Sequence, residues 1–524
     1  VTNVRDVTAD VTLAPGDSPT DLFGLRIDPP IADRSWVQAD GSLGLVPVWR
    51  TRAAWGTVRI KGLVSTTSYN LLVRAISTDP TKGPSDYSPE VTFNTLNQEH
   101  VINPLASGLQ ISRGIIGQST RLDPNRVEAL KRAWELVEGS SIRGVAGGMD
   151  ADTYDWRDMS GQGAGHTGTP APEVATTLTW MRQVRDYKAT IPVITVNTRG
   201  TGPVESSGWC RFYYDDLSVE SLSVMAADWV RYVNQVLPVY RLNDTLPADV
   251  SALLDTIDWF GREKLLGPDE PPTPRVTYWE IGNEPELTLP WCTPNHPTYT
   301  ISPQEYATRY KQITQAMLAV DPTIKVGPCT IAEVHAAAVL NDPQCQVDFV
   351  SYHPYGPLSS FGNHYGDTPE SAEMGLRVVK QQLLEKHNAF RNAIIASGRD
   401  PNRMEYMASE WNPSSWEWEC TMRDRRMSQA LGLAETIFTF AELKMTAAHY
   451  WSYPTSCEPT GEQPMYKVFQ MMMEHLGDEL IQSFNDNVNF RMYTTRETAT
   501  GRLAIWGLNF SEHNDKPVRL RIDN

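Results

Sequence analysis

Apolar residues fall into two different patterns along this chain of 524 residues. Up to about residue 97 they alternate with polar residues in short runs separated by turn residues, as in VTNVRDVTADVTL, WGTVRIKGL and YNLLVRAIS. This alternation is typical of half-buried antiparallel strands. From about residue 100 the apolar runs become nearly continuous and are separated by longer amphipathic segments. The two patterns predict a small β-sandwich followed by an α/β domain.

The α/β pattern repeats eight times. The strand-like runs are GLQISRGIIG, SIRGVAGG, IPVITVN, VTYWEIGN, IKVGPC, VDFVSYHPY, EYMASEWN and TAAHYWSY. Because a parallel sheet covered on both faces needs apolar strands, this order predicts a (β/α)8 TIM barrel. We expect domains at 1–97 (sandwich), 98–483 (barrel) and 484–524. The last holds three strand-like runs, which we expect to pair with strands elsewhere or to form part of an accessory β-sandwich.

Composition narrows the function classes. The formal net charge of −17 argues against nucleic acid and anionic membranes as partners, since phosphate groups bind basic surfaces. No apolar run approaches the ~20 residues that span a bilayer. The 16 Trp and 20 Tyr suit surfaces that stack on sugars, although core packing accounts for most of them. The oligomeric state stays open.

Two carboxylates occupy equivalent places in the predicted barrel. Glu284 follows the fourth strand, VTYWEIGN, and Glu410 lies near the end of the seventh, EYMASEWN. Functional residues of this fold gather at the C-terminal ends of the strands, so the two acids should face each other there. Paired carboxylates suit glycoside hydrolysis, in which one protonates the leaving oxygen and the other attacks the anomeric carbon. The retaining reaction predicts carboxyl carbons about 5–5.5 Å apart.

With these motifs the chain resembles clan A of the glycoside hydrolases, retaining (β/α)8 enzymes with catalytic Glu residues after strands 4 and 7. The resemblance rests on WEIGNEPEL and ASEWN, and it implies Glu284 as acid/base and Glu410 as nucleophile. It further implies that Asn283 bonds the sugar 2-hydroxyl and that Arg143, in SIRGVAGG, supports the nucleophile. His353 and Tyr355 (SYHPY) and Trp451 (YWSY) would position sugar and carboxylates.

The family within the clan stays open. GGMDADTYDWRD and YWEIGNE resemble family 51, the α-L-arabinofuranosidases, whereas Pro285 after the acid is typical of families 39, 79 and 5. A β-xylosidase, a β-glucuronidase and an endo-acting β-glycanase are therefore alternatives. The N-terminal stretch GLVSTTSYNLLVRA resembles fibronectin type III domains, in which the residue matching Tyr69 bonds back to nearby backbone.

Some residues near the two carboxylates are candidates for the active site, and others are expected to have structural roles. Glu280 shares a strand face with Glu284, and we expect it to pair with Arg143. Glu286 and Glu405 lie outside the site. Asp150, Asp152 and Trp156, in the loop after strand 2, are as compatible with loop packing as with a cleft. His353 has no partner at ligand spacing, so neither a metal nor a cofactor is expected. The loop NPSSWEWECTM, with Trp411 directly before it, suggests a sugar-stacking platform, with Trp411, Trp416 and Trp418 as candidates.

The six cysteines have no metal-binding spacing. Cys210 and Cys292 follow neighbouring strands 3 and 4, and Cys420 and Cys457 follow strands 7 and 8. Cys329 and Cys345 lie at opposite ends of the barrel, nearly 20 Å apart for a strand of ~6 residues. We therefore expect disulfides 210–292 and 420–457 and free thiols at the other two positions, in a protein secreted to an extracellular or periplasmic space.

Together the patterns predict a secreted retaining glycosidase acting on a cell-wall polysaccharide or oligosaccharide. The alternative from another class is a carbohydrate-binding protein without turnover.

Overall fold

The computed structural model describes most of the chain. The described residues are 1–5, 8–14, 20–64, 67–77, 84–95, 99–102, 108–119, 127–145, 151, 154–159, 176–200, 206–207, 210–211, 217–286, 301–358, 369–413, 427–451, 464–484, 490–510 and 519–522. They form two compact units. The β-rich unit holds residues 1–110, 362–380 and 476–524, and the barrel unit holds 111–361 and 381–475.

The N-terminal part of the β-rich unit is antiparallel. One sheet contains Leu43–Gly44, Arg34–Val37, Leu22–Ile31, Ser68–Ile76 and Val91–Asn94, in that order, and Arg50–Thr51 also pairs with Leu22–Ile31; a second pairs Ala9–Thr12 with Thr57–Ile60. Alternate residues enclose a core that includes Leu25, Ile27 and Tyr69. The Tyr69 hydroxyl accepts a hydrogen bond from the Val64 N–H at 2.9 Å, the expected bond to nearby backbone. Burial raises the pKa of Tyr69 to about 12. The fibronectin type III assignment stays a prediction.

The C-terminal strands pair with strands from an earlier part of the chain, as expected. A four-stranded antiparallel sheet has the order Leu109–Gln110, Glu479–Phe484, Phe490–Arg496, Leu503–Asn509, and Arg519–Ile522 runs parallel to Glu99–Ile102. Residues 99–102, 108–110, 369–380 and 476–483 thus belong to the β-rich unit, whereas the predicted barrel domain spans 98–483.

The barrel unit contains a closed barrel of eight parallel strands, which confirms the predicted fold class. Its strands, numbered here for the barrel alone, are β1 (Gly117–Ser119), β2 (Ser141–Gly144), β3 (Ile191–Val196), β4 (Tyr278–Ile281), β5 (Lys325–Thr330), β6 (Phe349–Tyr352), β7 (Glu405–Trp411) and β8 (Ala447–Tyr450). The α-helices between and after them are Val127–Leu136, Thr177–Asp186, Val219–Arg231, Ala248–Asp255, Pro303–Val320, Glu333–Asn341, Pro369–Ala396, Met427–Glu442 and Pro464–His475. None of the helices in the described part of the chain combines the length and apolar composition needed to cross a bilayer.

The first strand differs from its prediction. The run GLQISRGIIG contributes Leu109–Gln110 to the C-terminal sheet and a 3-10 turn at Arg113–Ile116, and β1 begins only at Gly117. Ser112 explains the break, because its hydroxyl caps the turn by accepting from the Gly114 N–H at 3.1 Å and donates to the Thr446 carbonyl at 2.5 Å. A side chain on Gly117 would lie 2.7 Å from the carbonyl oxygens of Ser141 and Ala448, so only glycine fits there.

Candidate active site

Glu284 stands at the C-terminal end of β4 in an uncommon backbone conformation. Its φ is +52°, in the left-handed region that residues with a side chain rarely adopt. Two contacts fix this turn: Arg199 donates to the Glu284 carbonyl at 2.8 Å, and the Glu284 N–H donates to the Cys329 carbonyl at 3.2 Å. Gly282, two residues earlier, has φ +77°, and a Cβ there would lie 2.9 Å from Thr198 Oγ1. Backbone strain at one carboxylate is typical of functional sites.

Glu410 reaches the same end of the barrel from β7, where the pairing with β8 shifts register between Ala408 and Trp411. In a regular strand, adjacent side chains point to opposite faces. Here both Ser409 and Glu410 contact groups inside the barrel: Ser409 Oγ accepts from Ser351 Oγ at 2.6 Å, and Glu410 bonds Arg143. The irregularity therefore aims two successive polar side chains at one site, a use that β-bulges commonly have.

Arg143 on β2 links the acidic groups. It is fully buried, and its Nε donates to Glu280 Oε2 at 2.7 Å, Nη1 to Glu410 Oε1 at 2.8 Å, and Nη2 to Asn283 Oδ1 at 2.6 Å. Burial alone would favour neutral Glu280, but the positive charge of Arg143 outweighs it and lowers the pKa of Glu280 to about 2. The predicted pairing of Arg143 with Glu280 is confirmed, and Arg143 also contacts Glu410.

His353 lies between the two carboxylates. Its Nδ1 is 2.5 Å from Glu284 Oε1 and 3.7 Å from Glu410 Oε2, and its Nε2 is 3.1 Å from Ser409 Oγ. Burial disfavours the charged imidazolium, yet the adjacent charges of Glu410 and Glu284 outweigh burial and raise the pKa of His353 well above its ordinary value. The contact at 2.5 Å places His353 Nδ1 within reach for a proton to pass between the imidazole and Glu284 Oε1.

Tyr355 completes the contacts of Glu410. Its hydroxyl donates to Glu410 Oε2 at 2.8 Å, while Arg143 occupies Oε1. Burial and the negative charge of Glu410 raise the pKa of Tyr355 well above its ordinary value, so the phenol stays protonated and continues to donate. Glu410 is thus held as an acceptor at both oxygens, with one fixed orientation.

One oxygen of Glu284, one oxygen of Glu410 and a nitrogen of His353 all lie within 4.8 Å of one another. This spacing is compatible with a metal ion, so these three side chains are the candidates for ligands among the described residues. However, both Glu410 oxygens already accept from donors, one of them the cationic Arg143. A cation would have to displace these donors, so the arrangement suits proton transfer and nucleophilic attack better than metal binding.

Trp411 requires a correction. It was a candidate platform for sugar, but its side chain is fully buried and packs edge-on against Phe440 and Tyr450, with ring centroids 5.2 and 5.3 Å away. Its ring also lies 6.5 Å from that of Phe469, so the side chain packs against the helices Met427–Glu442 and Pro464–His475 outside the barrel strands. Trp416 and Trp418 lie outside the described residues.

Trp451, the first residue after β8, is partly buried, and its backbone N–H donates to the Trp411 carbonyl at 2.9 Å. Its place under a bound sugar stays a prediction.

Glu286, Glu405 and Trp156 have contacts that stabilise the fold. Glu286 accepts from the Ala332 N–H at 2.7 Å, and Glu405 pairs with Lys325 at the start of its strand. Trp156 is fully buried and stacks on Trp229, with ring centroids 6.0 Å apart, so loop packing accounts for it. Asp150 and Asp152 lie outside the described residues.

Three further side chains at this site were not predicted from the sequence as site residues. Ser409 contacts His353, Arg199 holds the Glu284 backbone, and the Cys329 thiol lies 3.3 Å from His353 Nε2. The position of Ser409 directly before Glu410 was the one available signal, and regular strand alternation argued against using it.

The cysteines are resolved in part. Cys329 and Cys345 are free and buried, as predicted. Of the four cysteines expected to form disulfides, Cys292, Cys420 and Cys457 lie outside the described residues, and only the backbone of Cys210, in the short strand Cys210–Arg211, is described. The disulfides 210–292 and 420–457 stay predictions.

No protein-family model matches the chain, and no curated protein matches it. Solved structures share its fold. An α-L-arabinofuranosidase from Thermotoga maritima, in complex with arabinose, has a TM-score of 0.57 at 17% identity over 81% of this chain and 87% of its own. The family 51 arabinofuranosidase from Xanthomonas axonopodis pv. citri has a TM-score of 0.57 at 14% identity, over 82% and 88%. A family 44 endoglucanase from Clostridium thermocellum has a TM-score of 0.50 at 14% identity, over 81% and 89%. At these identities the likeness shows the fold that the clan A resemblance implied.

Proposed function

We propose that this protein is a retaining glycoside hydrolase that cleaves a polysaccharide or oligosaccharide by double displacement. The observation that carries the proposal is the pair of carboxylates, Glu284 and Glu410, which lie at the C-terminal ends of β4 and β7 with one oxygen of each within 4.8 Å of the other. This approach is compatible with the carboxyl separation of about 5–5.5 Å that retaining enzymes use. It supports direct attack by one carboxylate.

In the first step, Glu410 attacks the anomeric carbon as the glycosidic C–O bond breaks, and the Glu284–His353 pair gives its proton to the leaving oxygen. Arg143 and Tyr355 orient Glu410 through their hydrogen bonds at 2.8 Å. In the second step, Glu284 removes a proton from water, and the resulting oxygen attacks the glycosyl carbon and releases Glu410. The proton returns to the pair, and no cofactor enters the balance.

His353 gives this cycle its proton store. At 2.5 Å from Glu284 Oε1, its Nδ1 can pass a proton to Glu284 before the first step and take one back from Glu284 after the second. Ser409 contacts the other ring nitrogen at 3.1 Å and fixes the orientation of the ring. A positioned acid of this kind contributes roughly 10²–10⁴-fold to rate.

For the substrate, we propose an α-L-arabinofuranoside as the first candidate, because the family 51 motifs of the sequence agree with a fold shared with α-L-arabinofuranosidases. β-Xylosides, β-glucuronides and internal bonds of a β-glycan are the alternatives, the last in keeping with the similar fold of an endoglucanase.

The rival function is carbohydrate binding without turnover. A panel of aryl glycosides and cell-wall polysaccharides separates the two, with Glu410→Gln as the matched inactive variant. Release of sugar by the parent chain and not by Glu410→Gln is the expected result. Binding to a polysaccharide with no hydrolysis of any panel member would establish the rival.

We also propose that the protein is secreted, on the strength of the predicted disulfides. Peptide mapping without reduction tests this: fragments joined through Cys210–Cys292 and Cys420–Cys457 are expected, and four free thiols at these positions would oppose secretion to an oxidising compartment.

A further inference from the structure

The N-terminal sheet carries aromatic side chains on the face opposite its core. Along Arg34–Val37, Ser35 and Val37 are buried, whereas Trp36 is only partly buried. Because successive side chains of a strand point to opposite faces, Trp36 lies on the outer face. Arg26, between buried Leu25 and Ile27 and directly opposite Trp36 in the ladder, lies on the same face.

Three rings form a row there, which we call the aromatic row: Trp49, Trp36 and Tyr87. The ring centroid of Trp36 is 6.3 Å from that of Trp49 and 6.5 Å from that of Tyr87. Gly24 makes room beneath two of them, since a Cβ at this position would lie 3.1 Å from the Trp49 ring and 3.3 Å from the Trp36 ring. The rings therefore lie against the sheet rather than standing away from it.

Two guanidinium groups flank the row. Arg74 and Arg26 lie 5.4 and 5.8 Å from the centroid of the Tyr87 ring, within the range of cation–π attraction. Arg74 also donates to the Ser85 carbonyl at 2.8 Å, which fixes its stem. The row thus combines aromatic faces with positive hydrogen-bond donors, in a chain whose net charge is −17.

The segment that carries Tyr87 is held rigidly on both sides. The Ser85 and Ser88 N–H groups donate to the carbonyls of Ala75 and Val73 at 2.9 and 2.8 Å. The two serine hydroxyls accept from the N–H groups of the same two residues at 2.9 and 3.0 Å. A ligand would therefore meet Tyr87 already in place, which lowers the entropy cost of binding.

Core packing does not explain the row. The sandwich core is a cluster of buried residues on the other face and does not include these three rings. Tyr87 is 37% exposed, and Leu45 and Val46 are 64% and 67% exposed. The Val46 carbonyl accepts a hydrogen bond from the Gln38 side chain. The rings are therefore apolar surface that the fold does not use for its own core, and exposed surface of this kind commonly belongs to binding sites.

We propose that the aromatic row is a second carbohydrate-binding site, separate from the candidate active site, at which a glycan chain stacks its C–H faces on Trp49, Trp36 and Tyr87. Arg26 and Arg74 donate to its hydroxyl or carboxylate oxygens. The proposal goes beyond hydrolysis, because the row would hold polysaccharide without cleaving it.

The test uses the full chain carrying Glu410→Gln, so that no bound glycan is consumed. Affinity electrophoresis in gels containing arabinoxylan, xyloglucan or polygalacturonate measures binding to neutral and uronate-bearing chains. Tyr87→Ala and Trp36→Ala, each added to Glu410→Gln, are expected to weaken retardation by at least one of these polymers about tenfold. Phe260→Ala, at an exposed ring of the barrel unit, is the matched control and should leave it unchanged.

Thermal unfolding of each variant separates binding from folding, and Tyr87→Ala, at the most exposed of the three rings, carries the test where Trp36→Ala unfolds. If none of the polymers retards the Glu410→Gln chain, the proposal is overturned. Equal retardation of the folded Tyr87→Ala variant would also overturn it, as would retardation by polygalacturonate alone that salt abolishes and the ring variants leave intact. Aryl glycoside hydrolysis in the active background should be unchanged by Tyr87→Ala, so that failure of the row and failure of the proposed activity are read separately.

Discussion

Strand β7 carries two glutamates that differ in burial and in the charges around them. Glu405, its first residue, pairs with Lys325 and accepts from the Tyr278 hydroxyl at 2.9 Å, with 30% of its side chain exposed. Glu410 is 5% exposed, and it faces a second carboxylate, Glu284, as well as its donors. At the start of β7 a single acid faces a single cation. At its end Glu410 contacts the cation Arg143 but also lies close to a second carboxylate, an arrangement that costs stability and is retained where chemistry uses it.

The largest effect on kcat is expected when each of the two glutamates is replaced separately by glutamine. Glu410→Gln should lower kcat by about 10⁴-fold or more on every substrate, because the amide cannot form the glycosyl ester. Glu405→Gln, on the same strand, should leave kcat within about twofold. Steady-state kinetics on one aryl glycoside measures both. A comparable loss of kcat in the two variants would mean that the strand fold, not the carboxylate, is what Glu410→Gln disturbs.

Glu284→Ala should produce the next largest effect, and one that depends on the leaving group. With poor leaving groups we expect a loss of about 10²–10⁴-fold, because protonation of the departing oxygen is lost. Activated aryl glycosides need little protonation, so cleavage should persist and azide should restore turnover at the second step. The same loss on both substrate types, without rescue by azide, would argue against Glu284 as the acid/base.

The two cations of the barrel interior allow the same comparison in stability. Arg143→Met leaves Glu280 and Glu410 buried without their counter-charge and should lower the free energy of unfolding by about 3–5 kcal/mol. Lys325→Met removes a pair that is about one-third exposed, and solvent screening limits the loss to about 1 kcal/mol or less. Urea unfolding at pH 7 provides both values. Losses of equal size would contradict the distinction between the two ends of the barrel.

The smallest effect concerns pH and His449 on β8, whose Nε2 lies 2.6 Å from Ser141 Oγ. Burial lowers the pKa of His449 to about 3. Below the unfolded value near 6.5, only the unfolded chain takes up this proton, so stability is complete above pH 6.5 and falls as pH decreases, by about 1.4 kcal/mol per pH unit. His449→Gln should flatten the change in the urea midpoint between pH 6.5 and 5.

The contribution of His353 to stability changes with pH in the opposite direction to that of His449. Its pKa is raised in the folded chain, so its contribution is complete below pH 6.5 and is lost as pH rises through the folded value. His353→Gln should therefore change the slope of stability against pH only above pH 6.5. An unchanged acid slope in His449→Gln would show that this histidine is already charged in the folded protein.

The barrel and its two carboxylates were predictable because each depends on a local pattern. Short apolar strands alternate with amphipathic helices, and Glu284 lies just after one such strand while Glu410 lies near the end of another. Arg143 and Tyr355 came from resemblance, and the structure brings both to Glu410. These elements need no knowledge of how distant segments meet.

The errors arose where one strand departs from regular geometry or where distant segments pair. The register shift in β7 directs Ser409 inward beside Glu410, and Trp411 then packs on Phe440, so a residue counted as part of a rim loop lies in the core. In the first strand, capping by Ser112 and the pairing of Leu109–Gln110 with Glu479–Phe484 divided one apolar run among three structures. Neither effect has a signature in residue periodicity.

The central claim is that Glu410 becomes covalently attached to the sugar. An activated 2-deoxy-2-fluoro glycoside of the best substrate slows the second step and should accumulate the glycosyl-enzyme. Mass spectrometry of the digested protein is predicted to find one added fluoro-sugar on the peptide that contains Glu410, with the Glu284 peptide unmodified. A label on Glu284, or hydrolysis with inverted anomeric configuration and no adduct, would contradict the account.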